Sequence, residues 1–395
     1  MLLKKDIPGI VNDYFLYLLD LFSNQDIKLL KTIKLDLNKI TGIIRLTAMA
    51  LIIYKLVSFK LWLGIDRWFP KLPMLALEIT EHSGLDLSLN ILSLLLLVVL
   101  VIWPGRRIFL AYAVLELCLI IFDANRLQPM IYQCLVLALV FFLKPKTWST
   151  SLLVILAITY IFSGLHKLNL IFINTIWSPS ILVDFLGFSY EVAFSRFSKG
   201  IGFLIGFTEF VLGLGLLTSY RHYACNFLIL MHLIILAYIG PMGLNFNEVV
   251  WVWNILMILY LWSLLKNRVP VTKTLKHPFY ITTIILLCTS PILYPFKLSN
   301  PYTSFSLYSG IKVRYILDIE HVPKAFAESL ALKSTINNKL NLNSWSYNEL
   351  KVPFSHQYSY FLLVVKQLQK NDSIIIKSAH QLKYPFRKKE KIMLK

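Results

Sequence analysis

The chain has 395 residues, of which 57% are hydrophobic and only 15% charged, and its mean hydropathy is +0.64. That balance excludes an ordinary soluble domain, where about a quarter of the residues are charged. The net charge of +19 would suit a nucleic-acid partner, but the basic residues gather in short connections and in the tail. Membrane topology accounts for such a pattern, and no nucleic-acid partner is expected.

In chain order, residues 1–40 form an amphipathic segment, with Lys28, Lys31 and Lys34 beside apolar residues, suited to lying on the cytoplasmic membrane face. The opening "MLLKKDIPGI" has no signal-peptide layout, so insertion is expected to rely on the first span. Nine apolar runs follow, at roughly 41–61, 87–103, 107–122, 128–143, 148–167, 200–219, 223–240, 248–265 and 279–297. The expected architecture is an all-α polytopic membrane helix bundle of eight or nine spans. Several runs are short, which favours a compact bundle.

The connections 104–107, 144–147, 220–222 and 266–278 hold nine Lys or Arg and no acidic residue. The alternate ones, 58–86, 123–127, 166–199 and 241–248, hold seven basic and eight acidic residues although they are longer. Basic loops stay in the cytoplasm, which predicts a cytoplasmic N-terminus and an outward-facing end for the fifth span. The connection 168–199 is apolar enough to hold a re-entrant or interfacial helix, with Trp177 at headgroup level.

Residues 298–395 differ in character. "SLYSGIKVRYILDI" alternates like a strand, "SYFLLVVKQLQ" suits a short helix, and "DSIIIKS" suits another strand. The expected organisation is therefore an N-terminal segment 1–40, a membrane domain 41–297 and a small extramembrane α+β domain 298–395. Nine spans put that last domain outside. Its 15 basic and 6 acidic residues would suit the cytoplasm, but long segments translocate largely regardless of charge.

The four cysteines, Cys118, Cys134, Cys225 and Cys288, lie in apolar runs with no CxxC pair and read as small buried hydrophobes. No P-loop, zinc motif or Ser-His-Asp set is present, the eight histidines form no HxxxH pair, and no metal is expected.

Ionisable groups in lipid are costly, so each one is informative. From Trp148 to Lys167 the helix rises roughly 29 Å, which puts Lys167 near one edge of the hydrocarbon core. Asp123, Arg126, Gln128, His166, Lys167, Asn169, Asn245 and Asn247 form an outer polar layer. Glu116, Glu209 and His232 lie near mid-depth, Arg45 lies one turn into the first span, and Asn254 lies in the eighth. Plain structural roles compete. Lys167 can snorkel to the headgroups and His166 can be interfacial. Asp123 and Arg126 can pair across three residues, Glu209 can bond His232, and Glu116 can pair with Arg45. Trp251, Trp253 and Trp262 suit a belt or packing role. At helical spacing, however, Lys167 shares a stripe with Tyr160, Ser163 and Gly164. Two of these are small, so a neighbouring helix can approach and Lys167 faces protein.

"YIFSGLHKLNLIF" resembles the segment around the catalytic lysine of vitamin K-dependent γ-carboxylases and of bacterial proteins with the horizontally transferred transmembrane (HTTM) domain. Gly164, Leu165, Lys167, Leu168, Asn169 and Phe172 carry the likeness. "IIRLTAMALI" with Arg45, "FDANRLQPMIYQ" and "GPMGLNFNEVVWVWN" are similar to further segments of the same group, and the likeness covers about residues 40–300. Gly-x-x-Lys-Leu occurs in DoxX-like membrane proteins too. The resemblance implies that Lys167 is a base acting on vitamin K hydroquinone or another membrane quinol. Oxygenation of the quinol then drives removal of a glutamate γ-proton and capture of CO₂. Tyr160 and the polar residues named above would line or support the pocket. The partners expected are the lipid bilayer and a quinol, with the protein substrate undefined. Two other readings remain open: a DoxX-like accessory protein of a redox partner without chemistry of its own, and a small-molecule or lipid transporter using Glu116, Glu209 and His232 as a polar path.

Overall fold

The computed structural model describes residues 35–74, 83–143, 148–267, 278–306, 308–310, 313–321, 335–336, 339–355, 357–370, 375–385 and 389–392. Most of the amphipathic N-terminal segment, residues 1–34, lies outside the described residues, as do the basic stretches 144–147 and 268–277.

Every expected span falls on a helix. These are α1 (Ile40–Val57), α3 (Ser83–Ile102), α4 (Arg106–Phe122), α5 (Pro129–Leu143), α6 (Trp148–Lys167), α8 (Arg196–Leu216), α9 (Arg221–Ile239), α10 (Glu248–Lys266) and α11 (Pro278–Leu293); the short α2 (Phe59–Leu63) follows α1. Six of them, α1, α3, α6, α8, α9 and α10, are long and apolar enough to cross a membrane. Large apolar side chains, among them Leu95, Leu204, Phe207, Leu230 and Ile234, are exposed on their outer faces. A soluble monomer rarely tolerates so much exposed apolar surface, whereas lipid solvates it. The architecture is that of a multi-pass helical membrane protein.

The bundle is built around α6. Its residues Thr150–Tyr160 are all buried, the mark of a helix apolar on every side. It packs against α5, α8, α10 and α11, and most extensively against α8. Glycines make that crossing close. A Cβ on Gly164 would lie 2.4 Å from the Phe210 backbone nitrogen, and one on Gly213 would lie 2.7 Å from that of Ile161. Only hydrogen fits at these points.

The connection after α6 is helical, as expected. Asn169 caps a turn at Leu170–Phe172 by accepting from the Phe172 N–H at 2.8 Å. The chain continues as α7 (Ile173–Phe185), a wide helix with Pro179 in its interior. Proline has no N–H to give, and a widened turn accommodates the gap. Trp177 was expected at headgroup level. Its side chain is buried against α8 beside Gly202, and its indole N–H donates to the Ser198 carbonyl at 2.8 Å.

The C-terminal region has the expected α+β character. A five-stranded antiparallel sheet runs in the order β2-β3-β1-β4-β5, with β1 Val313–His321, β2 Thr335–Ile336, β3 Lys339–Asn341, β4 Ile375–Lys383 and β5 Lys389–Ile392. In register, Leu317 faces Leu340 on one side and Ala379 on the other, and all three are fully buried. Helices α12 (Leu342–Leu350) and α13 (Tyr358–Lys370) complete it, with Tyr315 stacked on Phe361 at 4.4 Å between ring centres. Helix α12 has no clear signal in the sequence.

This region docks on one end of the bundle. The Glu349 carboxylate accepts from the backbone N–H groups of Trp68 and Phe69, and Trp345 packs edge-on against Phe69. Lys351 pairs with Glu248 at 2.8 Å, and Asn169 donates to the Ser309 carbonyl at 3.1 Å. The connections 58–86, 166–199 and 241–248 thus meet the C-terminal region at the same end.

Candidate functional site

At that end, α6 stops on Lys167. Its ammonium donates to the Ser163 hydroxyl at 2.7 Å, one turn back, and to the Glu209 carboxylate of α8 at 2.6 Å. The side chain is 15% exposed and that of Glu209 5%, so Lys167 faces protein and does not snorkel. The glycine crossing sets this meeting: Gly206 lies against the Lys167 Cβ and the Gly164 carbonyl.

Glu209, read as lying deeper than Lys167, is reached by the Lys167 side chain turning back along α6 toward Ser163, one turn away. Helix α8 begins at Arg196, four residues earlier than expected, and its first turns overhang the end of α6 to pack on Trp177.

Lys167 and Glu209 border a cavity of about 70 Å³. Tyr160, His232 and Asn254 form a chain of hydrogen bonds along its wall. The Tyr160 hydroxyl meets His232 Nε2 at 2.7 Å, and His232 Nδ1 meets Asn254 Oδ1 at 2.6 Å. Glu209 and His232 were candidates for a direct bond; they take separate partners and face the same cavity. The rest of the wall is mainly apolar or aromatic, including Trp253, Met257, Phe305 and Tyr308. Trp253, read as a belt or packing residue, also donates its indole N–H to Gln133 at 2.8 Å.

Phe305 and Tyr308 come from the segment after the last helix, which no span-based reading would bring to the site. Both have left-handed backbone, with φ of 54° and 59°. Bulky residues seldom adopt it, and such strain persists only where surrounding contacts enforce it. Here Asn247 donates to the Tyr308 hydroxyl, and Gly310, with φ of 110°, packs against the backbone at Ile171 and Phe172. Burial raises the Tyr308 pKa well above its ordinary value of 10, so the phenol stays protonated at neutral pH.

The other sequence candidates serve elsewhere. Arg45 does not pair with Glu116. It donates to the Val101 and Ile102 carbonyls at 2.7 and 3.3 Å, satisfying the open C-terminal end of α3. Glu116 pairs instead with Lys55, which the sequence reading passed over, and also accepts from Ser93. The Lys55 ammonium lies 3.8 Å from the centre of the Trp62 ring. An acidic residue in one apolar span and a basic one in another were the available signal. Asp123 and Arg126 do not pair through their side chains either. Asp123 binds Arg67 at 2.7 Å, and Arg126 grips both oxygens of Asp86 at 2.6 and 2.9 Å, with Lys71 on Asp86 at 2.5 Å. The turn at Ala124–Arg126 separates the two side chains.

Gln128 donates to the Asn125 carbonyl at 2.9 Å. His166 packs edge-on against Tyr294 at 5.1 Å and does not line the cavity, and Asn245 is exposed on its loop. Glu116 and Glu209 share no hydrogen-bond partner among the described residues, so these bonds do not join them into one path. All four cysteines are free thiols. No group of three or more metal-ligating side chains occurs among the described residues. No family model matches the chain, and neither a curated protein nor a solved structure matches it.

Proposed function

We propose that this protein is a membrane enzyme related to the HTTM and γ-carboxylase-like group, in which Lys167 acts as a base on a membrane quinol. The observation that carries the reading is the Lys167–Glu209 pair, set 2.6 Å apart at the edge of an aromatic-walled cavity. A quinol ring with ionisable hydroxyls suits such a wall, and vitamin K hydroquinone is the form the resemblance implies. Bound there, the quinol would supply the reducing equivalents for its own oxygenation and, in a carboxylase-like reaction, the base that opens a substrate glutamate to CO₂.

The chain's own part is proton handling. One proton shift across the Lys167–Glu209 contact turns ammonium and carboxylate into amine and carboxylic acid with no change in total charge. The free amine is then a base within reach of the cavity. Ser163 holds the Nζ position, while Trp253, Met257 and Phe305 exclude water and present apolar surface to a ring. The site is inferred to face the outside, with the N-terminus cytoplasmic. The loop-charge asymmetry supports this, since the less basic loops share the Lys167 end with the C-terminal region.

The test is to purify the protein from membranes, extract and identify bound quinones, and measure quinol oxidation. Wild type is expected to retain and oxidise a quinol, and Lys167→Ala to retain it while losing at least about 100-fold in rate, the lower bound for losing a general base. If wild type neither binds nor oxidises any quinol, the proposal fails.

A further inference from the structure

The hydrogen-bond chain behind the cavity fixes where each proton sits. The Asn254 side-chain nitrogen donates to the Val250 carbonyl at 2.7 Å. Turning the amide over would aim its oxygen at that carbonyl oxygen, so Oδ1 must face His232. Oδ1 only accepts, and therefore His232 Nδ1 carries a hydrogen. The ring's two hydrogen-bond partners, Asn254 and Tyr160, are both neutral. A buried imidazolium would need an acidic group in contact, so the neutral ring is the favoured form. Its Nε2 is then a bare acceptor, and the Tyr160 hydroxyl must donate to it.

Tyr160 has a single hydroxyl hydrogen, and this arrangement commits it to His232. Toward the cavity, Tyr160 offers only an oxygen lone pair. Two of the other polar groups there, Lys167 and Tyr308, are less selective, whereas the Glu209 carboxylate, already taken up by the Lys167 ammonium, likewise only accepts. Lys167 Nζ has a hydrogen beyond those given to Ser163 and Glu209, and the Tyr308 oxygen already accepts from Asn247, which leaves its hydrogen to give. A hydroxyl oxygen and a carbonyl oxygen suit those two donors equally. Only a ligand hydroxyl can satisfy Tyr160. A carbonyl there would set two acceptors against each other.

We infer that Tyr160, locked as an acceptor by His232 and Asn254, makes the cavity select the hydroxyl form of its ligand over the carbonyl form: a hydroquinol over its quinone. The inference rests on the reading of the cavity as a quinol site and adds the side chain that tells the quinol from the quinone. Its consequence is directional. The reduced ligand is held, and the oxidised product loses its fit and leaves.

The experiment is anaerobic equilibrium dialysis of the purified full-length protein against durohydroquinone and, separately, duroquinone, a pair that differs only in redox form. Wild type is expected to bind the hydroquinone at least about fivefold more tightly, the worth of one hydrogen bond. Tyr160→Phe should weaken hydroquinone binding by about five- to tenfold and leave the quinone unchanged. Asn254→Leu removes the acceptor that holds the His232 tautomer. The ring can then donate to Tyr160, freeing the phenol hydrogen for the cavity, and quinone binding should strengthen. A purely structural role would weaken both ligands together in both variants. Equal wild-type affinity for the two forms, or parallel losses in Tyr160→Phe, overturns the inference while the quinol site stands. Binding of neither form overturns the site itself.

Discussion

Gly164→Ala tests whether the α6–α8 crossing builds the site. The added methyl would sit 2.4 Å from the Phe210 nitrogen, 2.7 Å from the Gly206 oxygen and 2.8 Å from the Phe210 Cα. All three are backbone atoms of a helix, so no rotamer change relieves the clash. Ordinary contact begins near 3.4 Å, and α8 must retreat by about 1 Å. The Lys167–Glu209 contact of 2.6 Å then stretches to about 3.6 Å, outside hydrogen-bonding range. Overpacking costs about 1–3 kcal/mol and the lost charged hydrogen bond about 1.5–3 kcal/mol, a total of about 2.5–6 kcal/mol. Both side chains are mostly buried, so solvent screening takes little from that figure. Gly200→Ala is the control. It lies on the same helix α8 with nothing within 4 Å of its Cβ position, and a helix-interior alanine there should add about 0.5–1 kcal/mol. The assay is equilibrium unfolding in mixed micelles, with quinol oxidation measured on the folded fraction. Gly164→Ala should lose both stability and turnover, and Gly200→Ala neither. If Gly164→Ala unfolds and turns over like wild type, the close crossing does not set the position of Lys167.

Two further substitutions probe the charged clusters. Asp123→Asn should destabilise by about 3–5 kcal/mol, because it leaves the Arg67 guanidinium buried without its 2.7 Å counter-ion. Burial pushes the Asp123 carboxyl up, but Arg67 and Arg126 outweigh it and hold the pKa below the ordinary 3.8. The stability it contributes is therefore complete above that value and is lost as pH falls through the lower folded value. The variant should flatten this acid limb in unfolding measured against pH, and an unchanged limb would show that other carboxylates set it. Lys55→Met alone should cost about 3–5 kcal/mol by stranding Glu116, and adding Glu116→Leu should recover most of it. A double-mutant cycle reads this directly, and additive losses would mean that the two groups act separately.

The helices were legible because each is an apolar run, six of them of membrane length, and a run's ends shift by only a few residues when it folds. Partner choice was not legible, because it depends on how helices slide and cross. Asp123 and Arg126 are three residues apart, yet the turn between them sends one to Arg67 and the other to Asp86. Arg45 carries a charge that Glu116 was suited to meet, and the carbonyls ending α3 meet it instead. That Lys167 faces protein was legible for a local reason: Ser163 and Gly164 lie on its own helix and are visible at helical spacing. Glu209, His232 and Asn254 were visible as costly polar residues, but their roles depend on tertiary offset. The glycine crossing of α6 and α8 brings Glu209 within reach of Lys167, while His232, on α9, meets Tyr160. Phe305 and Tyr308 gave no signal, since their segment has no period and their backbone conformation runs against residue preference. That conflict marks the place where local propensity yields to the cavity that these two side chains close.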